Sequence, residues 1–221
     1  MTDFLRTGPT HAENVLLLAH GAGAPMTSPF LELIADLLGE RGIATLRFEF
    51  AYMAARRNGG KRRPPPKAEL LAGEYRDAVA AAVRSLGRGR GLLIGGKSMG
   101  GRVASLVAGE LFAAGRIAGL AVLGYPFHPP GKPDQLRTAH LRALHCPALI
   151  VQGERDPFGT RAEVEGLELS PAIAFHWAGD GDHDLGPRGG SGFTRKGNLA
   201  AACDAISAFA VQLDQPSSAA T

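Results

Sequence analysis

The sequence lacks any apolar run long enough to cross a membrane. No uninterrupted apolar segment approaches the roughly 20 residues that a membrane-spanning helix needs. Residues 1–14 also lack the basic start and the long apolar stretch of a secretory signal. We therefore expect no membrane partner and a cytoplasmic protein.

Cysteine and aromatic residues are also scarce. Cys146 and Cys203 stand alone, with no Cys-x-x-Cys and no Cys/His pair, so the sequence predicts two packed free thiols and no metal site. Aromatic residues make up 6% of the chain and do not alternate with basic ones, which argues against a stacking platform for nucleic acid. We expect no organic cofactor and do not expect a nucleic-acid partner.

The residues that are abundant suit one folded domain. The 221-residue chain is 45% hydrophobic and 20% charged, which is ordinary for a globular protein of this length. No shift of composition marks a domain boundary. We predict a single domain over residues 1–213, followed by a flexible polar tail over residues 214–221.

The net charge of +3 arises in one segment. Residues 56–67 contain six of the 24 basic residues and no acidic one, so the rest of the chain carries about three excess negative charges. Two interpretations remain open. The segment could lie beside a site and attract an anionic substrate or a carboxylate leaving group, or it could be a solvated loop.

Short apolar runs alternate with longer amphipathic segments along the chain. The apolar runs predict buried strands at residues 15–19, 43–48, 92–95, 117–123, 147–152 and 172–177. The amphipathic segments predict helices at residues 30–41, 67–86, 101–114 and 195–213. This order predicts an α/β fold, a three-layer α/β/α sandwich with a doubly wound, mostly parallel sheet of about six strands. We expect neither a pair of antiparallel strands before Val15 nor a lid domain.

The pattern Gly-x-Ser-x-Gly occurs at residues 96–100, directly after an apolar strand and before an amphipathic helix. A serine on such a turn projects its hydroxyl above the sheet edge, and the flanking glycines relieve crowding. We therefore predict that Ser98 is a nucleophile. The backbone N–H of Met99, at the start of the helix, is a candidate oxyanion donor.

A serine nucleophile needs a base, and the base needs an acid that orients it. In this architecture the three follow one another in the order serine, acid, histidine. Asp156 comes shortly after one predicted strand, and His183 lies in a Gly/Asp-rich loop after the last one. We predict Asp156 as the acid and His183 as the base, with Glu154 as the reserve acid.

The Gly/Ala-rich turn His20-Gly21-Ala22-Gly23 follows the first predicted strand. Ala22 or Gly23 is predicted to supply the second oxyanion donor from this turn. The turn does not match Gly-x-Gly-x-x-Gly, so a nucleotide site is a weak interpretation. We also predict that His20, Tyr125, Phe127 and His128 contact substrate.

Several longer motifs carry a resemblance to a known family. They are HGAGAPM at 20–26, RFEFAYM at 47–53, GGKSMGGR at 95–102, GYPFHPPGKP at 124–133, QGERDPFG at 152–159 and GDHDL at 181–185. With them the chain resembles the α/β-hydrolase superfamily. Within it the chain is similar to the group of testis-expressed protein thirty and its bacterial relatives, near the dienelactone-hydrolase-like proteins. The resemblance implies the triad Ser98, Asp156 and His183 and an oxyanion loop at residues 20–23, and it implies no particular substrate.

The sequence thus supports three hypotheses in descending order. The first is a serine hydrolase, esterase-like, that acts on a small ester-like substrate. The second is a hydrolase-fold binding or scaffold protein without turnover. The third, a binder of nucleic acid or another polyanion through residues 56–67, has the least support.

Overall fold

The computed structural model describes residues 2–57, 59, 64–86 and 91–214. The strands are β1 (Leu5–Thr7), β2 (Asn14–Ala19), β3 (Ala44–Phe48), β4 (Gly91–Lys97), β5 (Gly119–Leu123), β6 (Ala148–Gly153) and β7 (Ile173–Ala178). The helices are α1 (Pro29–Glu40), α2 (Ala51–Arg57), α3 (Ala72–Leu86), α4 (Met99–Ala113), α5 (Arg161–Glu165) and α6 (Arg195–Asp214). Short 3₁₀ turns form at Ala68–Leu71 and Ala139–Leu141.

The strands form one open sheet in the order β1-β3-β2-β4-β5-β6-β7. All neighbouring pairs are parallel except β1 and β3, which run antiparallel. Strands β2, β3, β5 and β6 are buried along their whole length, as their mostly apolar sequences predict. The predicted doubly wound, mostly parallel sheet is therefore confirmed.

Helices cover both faces of this sheet and create two apolar cores. On one face Ile34 of α1 and Ile206 of α6 pack against inward residues of the central strands such as Leu18. On the other face Tyr75 of α3 and Val103 of α4 pack in a larger core. Both free cysteines are buried, one in each core. These layers are the predicted α/β/α sandwich.

Within the described residues the sheet has seven strands, one more than the six apolar runs behind the prediction of about six. Strand β1 was missed because it is only three residues long and contains a single apolar residue, Leu5. Backbone pairing with β3 at the edge of the sheet, rather than apolar burial, holds it in place. A three-residue edge strand leaves no hydrophobic period for a sequence to reveal.

Two short helices were also missed. Helix α2 begins at Ala51, so the basic segment starts at the end of a helix, and only part of that segment is described. Helix α5 has five residues and starts at a capping box in which Thr160 and Glu163 bind each other's backbone N–H groups. Helix α6 ends at Asp214, and the rest of the predicted tail lies outside the described residues.

Candidate active site

Ser98 occupies a strained turn between β4 and α4. Its backbone has φ 53° and ψ −116°, a conformation that non-glycine residues rarely adopt. The Ser98 N–H donates to the carbonyl oxygen of Leu123 at 2.9 Å, which ties the turn to the neighbouring strand. Strain of this kind persists where the surrounding structure enforces it, and it is typical of a nucleophile elbow.

The glycines of the motif are required by close backbone packing. A Cβ at Gly96 would lie 2.6 Å from the carbonyl carbon of Gly100, and a Cβ at Gly100 would lie 2.5 Å from the carbonyl oxygen of His20. Real Cβ atoms do not approach backbone this closely. The two glycines therefore let α4 begin directly beside the turn that follows β2.

Asp156 and His183 form a hydrogen-bonded pair at the same edge of the sheet. The carboxylate of Asp156 is fully buried, and its Oδ2 accepts a hydrogen bond from Nδ1 of His183 at 2.7 Å. Gln152 Nε2 donates to the same oxygen at 2.9 Å, and the Phe158 N–H donates to Oδ1 at 2.9 Å. Because an ionised carboxylate only accepts, Nδ1 of His183 carries its proton and Nε2 is available as a base.

Glu154, the reserve acid, has a different role. One of its carboxylate oxygens accepts from the Asp180 N–H at 2.9 Å, and the other pairs with Arg161 at 3.1 Å. The arrangement joins β6 to the loop that carries the histidine. Between the two candidate acids, the geometry therefore favours Asp156.

The loop that carries His183 is held by a buried lysine. Lys97 Nζ donates to the carbonyl oxygen of His183 at 2.6 Å and pairs with Asp184 Oδ1 at 3.2 Å. Burial lowers the pKa of the Lys97 ammonium, and the charge of Asp184 opposes that shift. Asp182 shapes the same loop, because its carboxylate accepts from the N–H groups of Asp184 and Gly186. The sequence prediction overlooked Lys97, although a lysine ending a strand that is otherwise apolar and glycine-rich is a visible signal.

Ser98 lies between two cavities. The first, of about 480 Å³, is lined by Ser98, His183, Lys97 and the Gly21–Ala24 turn. The second, of about 440 Å³, is lined by Ser98, Met99 and a group of basic residues. Phe158 lines both cavities, and its ring lies 4.3 Å from the His183 ring between centroids. The predicted nucleophile and the predicted base therefore share the first cavity.

The predicted oxyanion residues also border these cavities. Ala22 lines both, Gly23 lines the first, and Met99 lines the second. A hydrogen bond of 3.0 Å from the Tyr52 hydroxyl to the carbonyl oxygen of Ala22 holds the turn in place. Met99 is the first residue of α4, where backbone N–H groups have no partner within the helix. Their role as donors to an oxyanion stays a prediction.

The four predicted substrate contacts are corrected by the structure. The side chains of His20, Tyr125, Phe127 and His128 are all buried, and none of them lines either cavity at Ser98. Proximity to a strand end placed them near the site, but their side chains point into the core. In these positions they bind or pack against neighbouring groups of the protein.

The hydrogen bonds of His20 and Tyr125 explain this positioning. His20 Nδ1 donates to the carbonyl oxygen of Gly21 at 2.7 Å, and Nε2 accepts from the Phe50 N–H at 3.2 Å. Burial lowers the pKa of His20 to about 4, so the ring stays neutral in this network. The Tyr125 hydroxyl donates to the carbonyl oxygen of Arg137 at 2.8 Å.

His128 and Phe127 pack on the loop that follows β5. The His128 ring nitrogen Nδ1 lies 2.8 Å from the carbonyl oxygen of Pro129, and Nε2 lies 3.5 Å from Glu163. The rings of Phe127 and Tyr125 meet edge to face, with centroids 4.8 Å apart. These contacts stabilise the loop after β5, whose Pro126 lines the second cavity.

The described residues contain neither a metal-binding cluster nor a membrane-spanning helix. No group of three or more His, Cys, Asp or Glu residues within them could hold a metal ion. Among the helices of those same residues, none is long and apolar enough to span a membrane.

Solved structures with the same fold cover almost all of this chain. Dienelactone hydrolase from Anabaena variabilis is 21% identical with a TM-score of 0.70, over 94% of this chain and 89% of its own. The esterase domain of a Rhodothermus marinus protein is 18% identical with a TM-score of 0.64, over 95% and 92%. An α/β serine hydrolase without lid from Xanthomonas campestris is 17% identical with a TM-score of 0.63, over 99% and 97%. At these identities the likeness establishes the fold.

A family model matches a much longer part of the sequence than the motifs cover. The model described as "Alpha/beta hydrolase domain" matches residues 12–211, which include the whole sheet except β1 and every residue of the site. The seven-stranded, mostly parallel sheet agrees with that assignment. The chain therefore belongs to the alpha/beta hydrolase domain family.

Proposed function

We propose that this protein is an esterase-like serine hydrolase that acts on small ester-like substrates. The observation that carries the proposal is the buried Asp156–His183 pair, which opens onto the same cavity as Ser98 on its strained turn. A strained serine, a histidine with its Nδ1 proton engaged, and a buried acid are the features expected of a site that activates a hydroxyl nucleophile.

The reaction is acyl transfer to water. His183 Nε2 removes the Ser98 proton as Oγ attacks the ester carbonyl, and a tetrahedral oxyanion forms. The backbone N–H of Met99 and that of Ala22 or Gly23 donate to this oxyanion. The protonated His183 then gives its proton to the departing alcohol.

The acyl-enzyme is hydrolysed by the reverse sequence of proton transfers. A water molecule gives its proton to His183 Nε2 and attacks the acyl carbonyl, and the carboxylic acid leaves as Ser98 regains its proton. The negative charge of Asp156 stabilises the imidazolium in both half-reactions. The two cavities on either side of Ser98 provide separate space for the acyl and alcohol groups.

Comparison with the solved structures supports the same reaction class. The similar chains carry names that include dienelactone hydrolase, esterase domain and serine hydrolase. Those names describe the other proteins, and the agreement among them favours ester-type hydrolysis here over a scaffold role.

The test is covalent labelling with a fluorophosphonate probe together with turnover of a nitrophenyl ester. We expect the wild type to be labelled and to release nitrophenol, and Ser98→Ala to do neither. Ser28→Ala is the matched control because Ser28 lines the same cavity, and it should keep both activities. A folded wild type that resists the probe would refute the proposal and favour a scaffold protein.

A further inference from the structure

The second cavity at Ser98 contains a surplus of positive charge. Its lining includes three basic residues, Lys67, Arg102 and Arg137, and one acidic residue, Glu69. Arg102 forms an ion pair with Glu69, so two cations remain without an acidic counterpart within the lining. In the first cavity, by contrast, the buried Lys97 forms an ion pair with Asp184. The other basic residue that lines it, Arg195, is exposed to solvent.

Arg137 is built into the wall of this cavity. Its N–H donates to the carbonyl oxygen of Phe127 at 2.8 Å, and its own carbonyl oxygen accepts from the buried Tyr125 hydroxyl at 2.8 Å. The main chain is thus fixed from both sides while the side chain lines the cavity, half-buried. Across the described part of the chain, no acidic side chain lies within ion-pair distance of the Arg137 guanidinium.

Arg102 extends the positive charge towards the nucleophile. It lies in the first turn of α4, where its N–H donates to the carbonyl oxygen of Ser98 at 3.0 Å. Its side chain is 17% exposed, and its Nε is buried without a hydrogen-bond partner. The N-terminal end of α4 adds a partial positive charge in the same place.

The charge of Arg102 contributes to the pKa shifts of two neighbouring groups, in which burial is the larger cause. Burial lowers the pKa of Arg137 and the charge of Arg102 lowers it further, while Tyr125 and Glu69 oppose the shift. Burial likewise lowers the pKa of His140 to about 4, again with a contribution from Arg102. A partly buried guanidinium without an acidic partner is costly, and an anionic ligand is the natural way to offset that cost.

We propose that the second cavity is an anion subsite in which Arg137, assisted by Arg102 and Lys67, binds a carboxylate or phosphate group of the substrate. This inference rests on the proposed function, because it names the substrate class of the same nucleophile. A guanidinium fork binds two oxygens of either group, so the chemistry is shared by carboxylates and phosphates. Substrates would then be acidic esters that carry the anion on the part of the molecule opposite the first cavity.

Matched substrates test the proposal. One pair places the carboxylate on the acyl side, nitrophenyl hemiglutarate against nitrophenyl valerate. The other pair places it on the alcohol, carboxyphenyl butyrate against its methyl ester. We expect the wild type to prefer the acidic member of at least one pair in kcat/KM, and the preference to weaken as NaCl rises from about 50 to about 500 mM.

Substitution at Arg137 should remove the preference. Arg137→Gln should lower the acidic-to-neutral ratio of kcat/KM by about tenfold, as expected for the loss of one charge-assisted hydrogen bond. Arg142→Gln is the matched control, because Arg142 is exposed, lies five residues away and lines neither cavity. Inhibition of nitrophenyl valerate hydrolysis by glutarate and by inorganic phosphate would tell which anion fits better.

The outcomes separate this inference from the proposed function. Turnover of both members of each pair without an acidic preference, or an unchanged ratio in Arg137→Gln, would overturn the anion subsite and leave the hydrolase proposal intact. If no ester is hydrolysed, the hydrolase proposal fails, and calorimetric titration of glutarate decides about the subsite. Glutarate binding that Arg137→Gln abolishes would support it, and equal or absent binding would overturn it.

Discussion

Replacing Asp156 with asparagine isolates the electrostatic part of the proposed mechanism. The site offers three donors to this side chain, Gln152 Nε2 and His183 Nδ1 at Oδ2 and the Phe158 N–H at Oδ1. Gln152 cannot reverse its amide, because its Oε1 accepts from the Tyr125 N–H at 2.7 Å and its Nε2 also lies 3.2 Å from the carbonyl oxygens of Tyr125 and Gly159. An asparagine amide must therefore point its NH₂ at a donor in either orientation.

Each orientation predicts slow catalysis for a definite reason. If the NH₂ replaces Oδ2, it opposes Gln152 and forces His183 to give up its Nδ1 proton, which puts the proton on the nitrogen that should act as base. If it replaces Oδ1, it opposes the Phe158 N–H, and the imidazolium loses its negative neighbour. We expect kcat to fall by about 10³–10⁴. The free energy of unfolding should fall by about 1–3 kcal/mol, because a buried N–H is left unsatisfied.

Steady-state kinetics with a nitrophenyl ester and chemical denaturation measure the two effects. Glu154→Gln is the control, since its amide oxygen can still accept from the Asp180 N–H, and its kcat should stay within about threefold of the wild type. Activity of Asp156→Asn within about tenfold of the wild type would refute the reasoning. A larger loss in Glu154→Gln than in Asp156→Asn would transfer the acid role to Glu154.

Three further predictions concern the groups around the triad. Gly100→Ala should unfold the protein or destabilise it by more than about 2 kcal/mol, because its Cβ would lie 2.5 Å from the His20 carbonyl oxygen. At Gly109 an added Cβ would lie 3.9 Å from its nearest neighbour, a methyl carbon of Leu144, so Gly109→Ala should be neutral or stabilising in denaturation experiments. Lys97→Met should lower kcat about tenfold with little change in melting temperature, because the His183 loop loses its hydrogen bond and Met fills the space of the lysine stem. His20 has a folded pKa of about 4, below its usual 6.5, so the unfolded chain binds the proton first. Protonation of His20 alone should therefore lower stability by about 2 kcal/mol between about pH 7.5 and about pH 5, and His20→Gln should remove that share of the slope in urea titrations.

Much of the fold could be predicted because buried strands require apolar residues, which are visible in the sequence. Each central parallel strand needs apolar residues on both faces, so β2, β5 and β6 are visible in the sequence as mostly apolar runs. The edge strand β1 and the short helix α5 owe their existence to backbone pairing and a capping box, and neither leaves an apolar period. Elements stabilised by the backbone are therefore the ones that a hydrophobic pattern misses.

The candidate site likewise has features that could be predicted from the sequence and features that could not. The order of Ser98, Asp156 and His183 along the chain could be predicted because each follows a parallel strand, and the carboxyl ends of such strands meet at one edge. Side-chain direction could not be predicted for the loop after β5. Tyr125 and Phe127 lie shortly after β5, which ends at Leu123, yet both rings turn into the core and contact each other.

Charge near the site illustrates why a local count of basic residues is a poor guide to electrostatics. The sequence draws attention to residues 56–67, but of the described part of that segment only residues 65–67 line the second cavity. Arg102 and Arg137, which lie 35 residues apart in the sequence and outside that segment, supply the rest of its positive lining. Whether a cation can bind an anion depends on its partners in three dimensions: Lys97 forms an ion pair with Asp184, whereas Arg137 forms no ion pair with a described acidic side chain. That difference in pairing, rather than the number of cations, makes the second cavity the one suited to an acidic substrate.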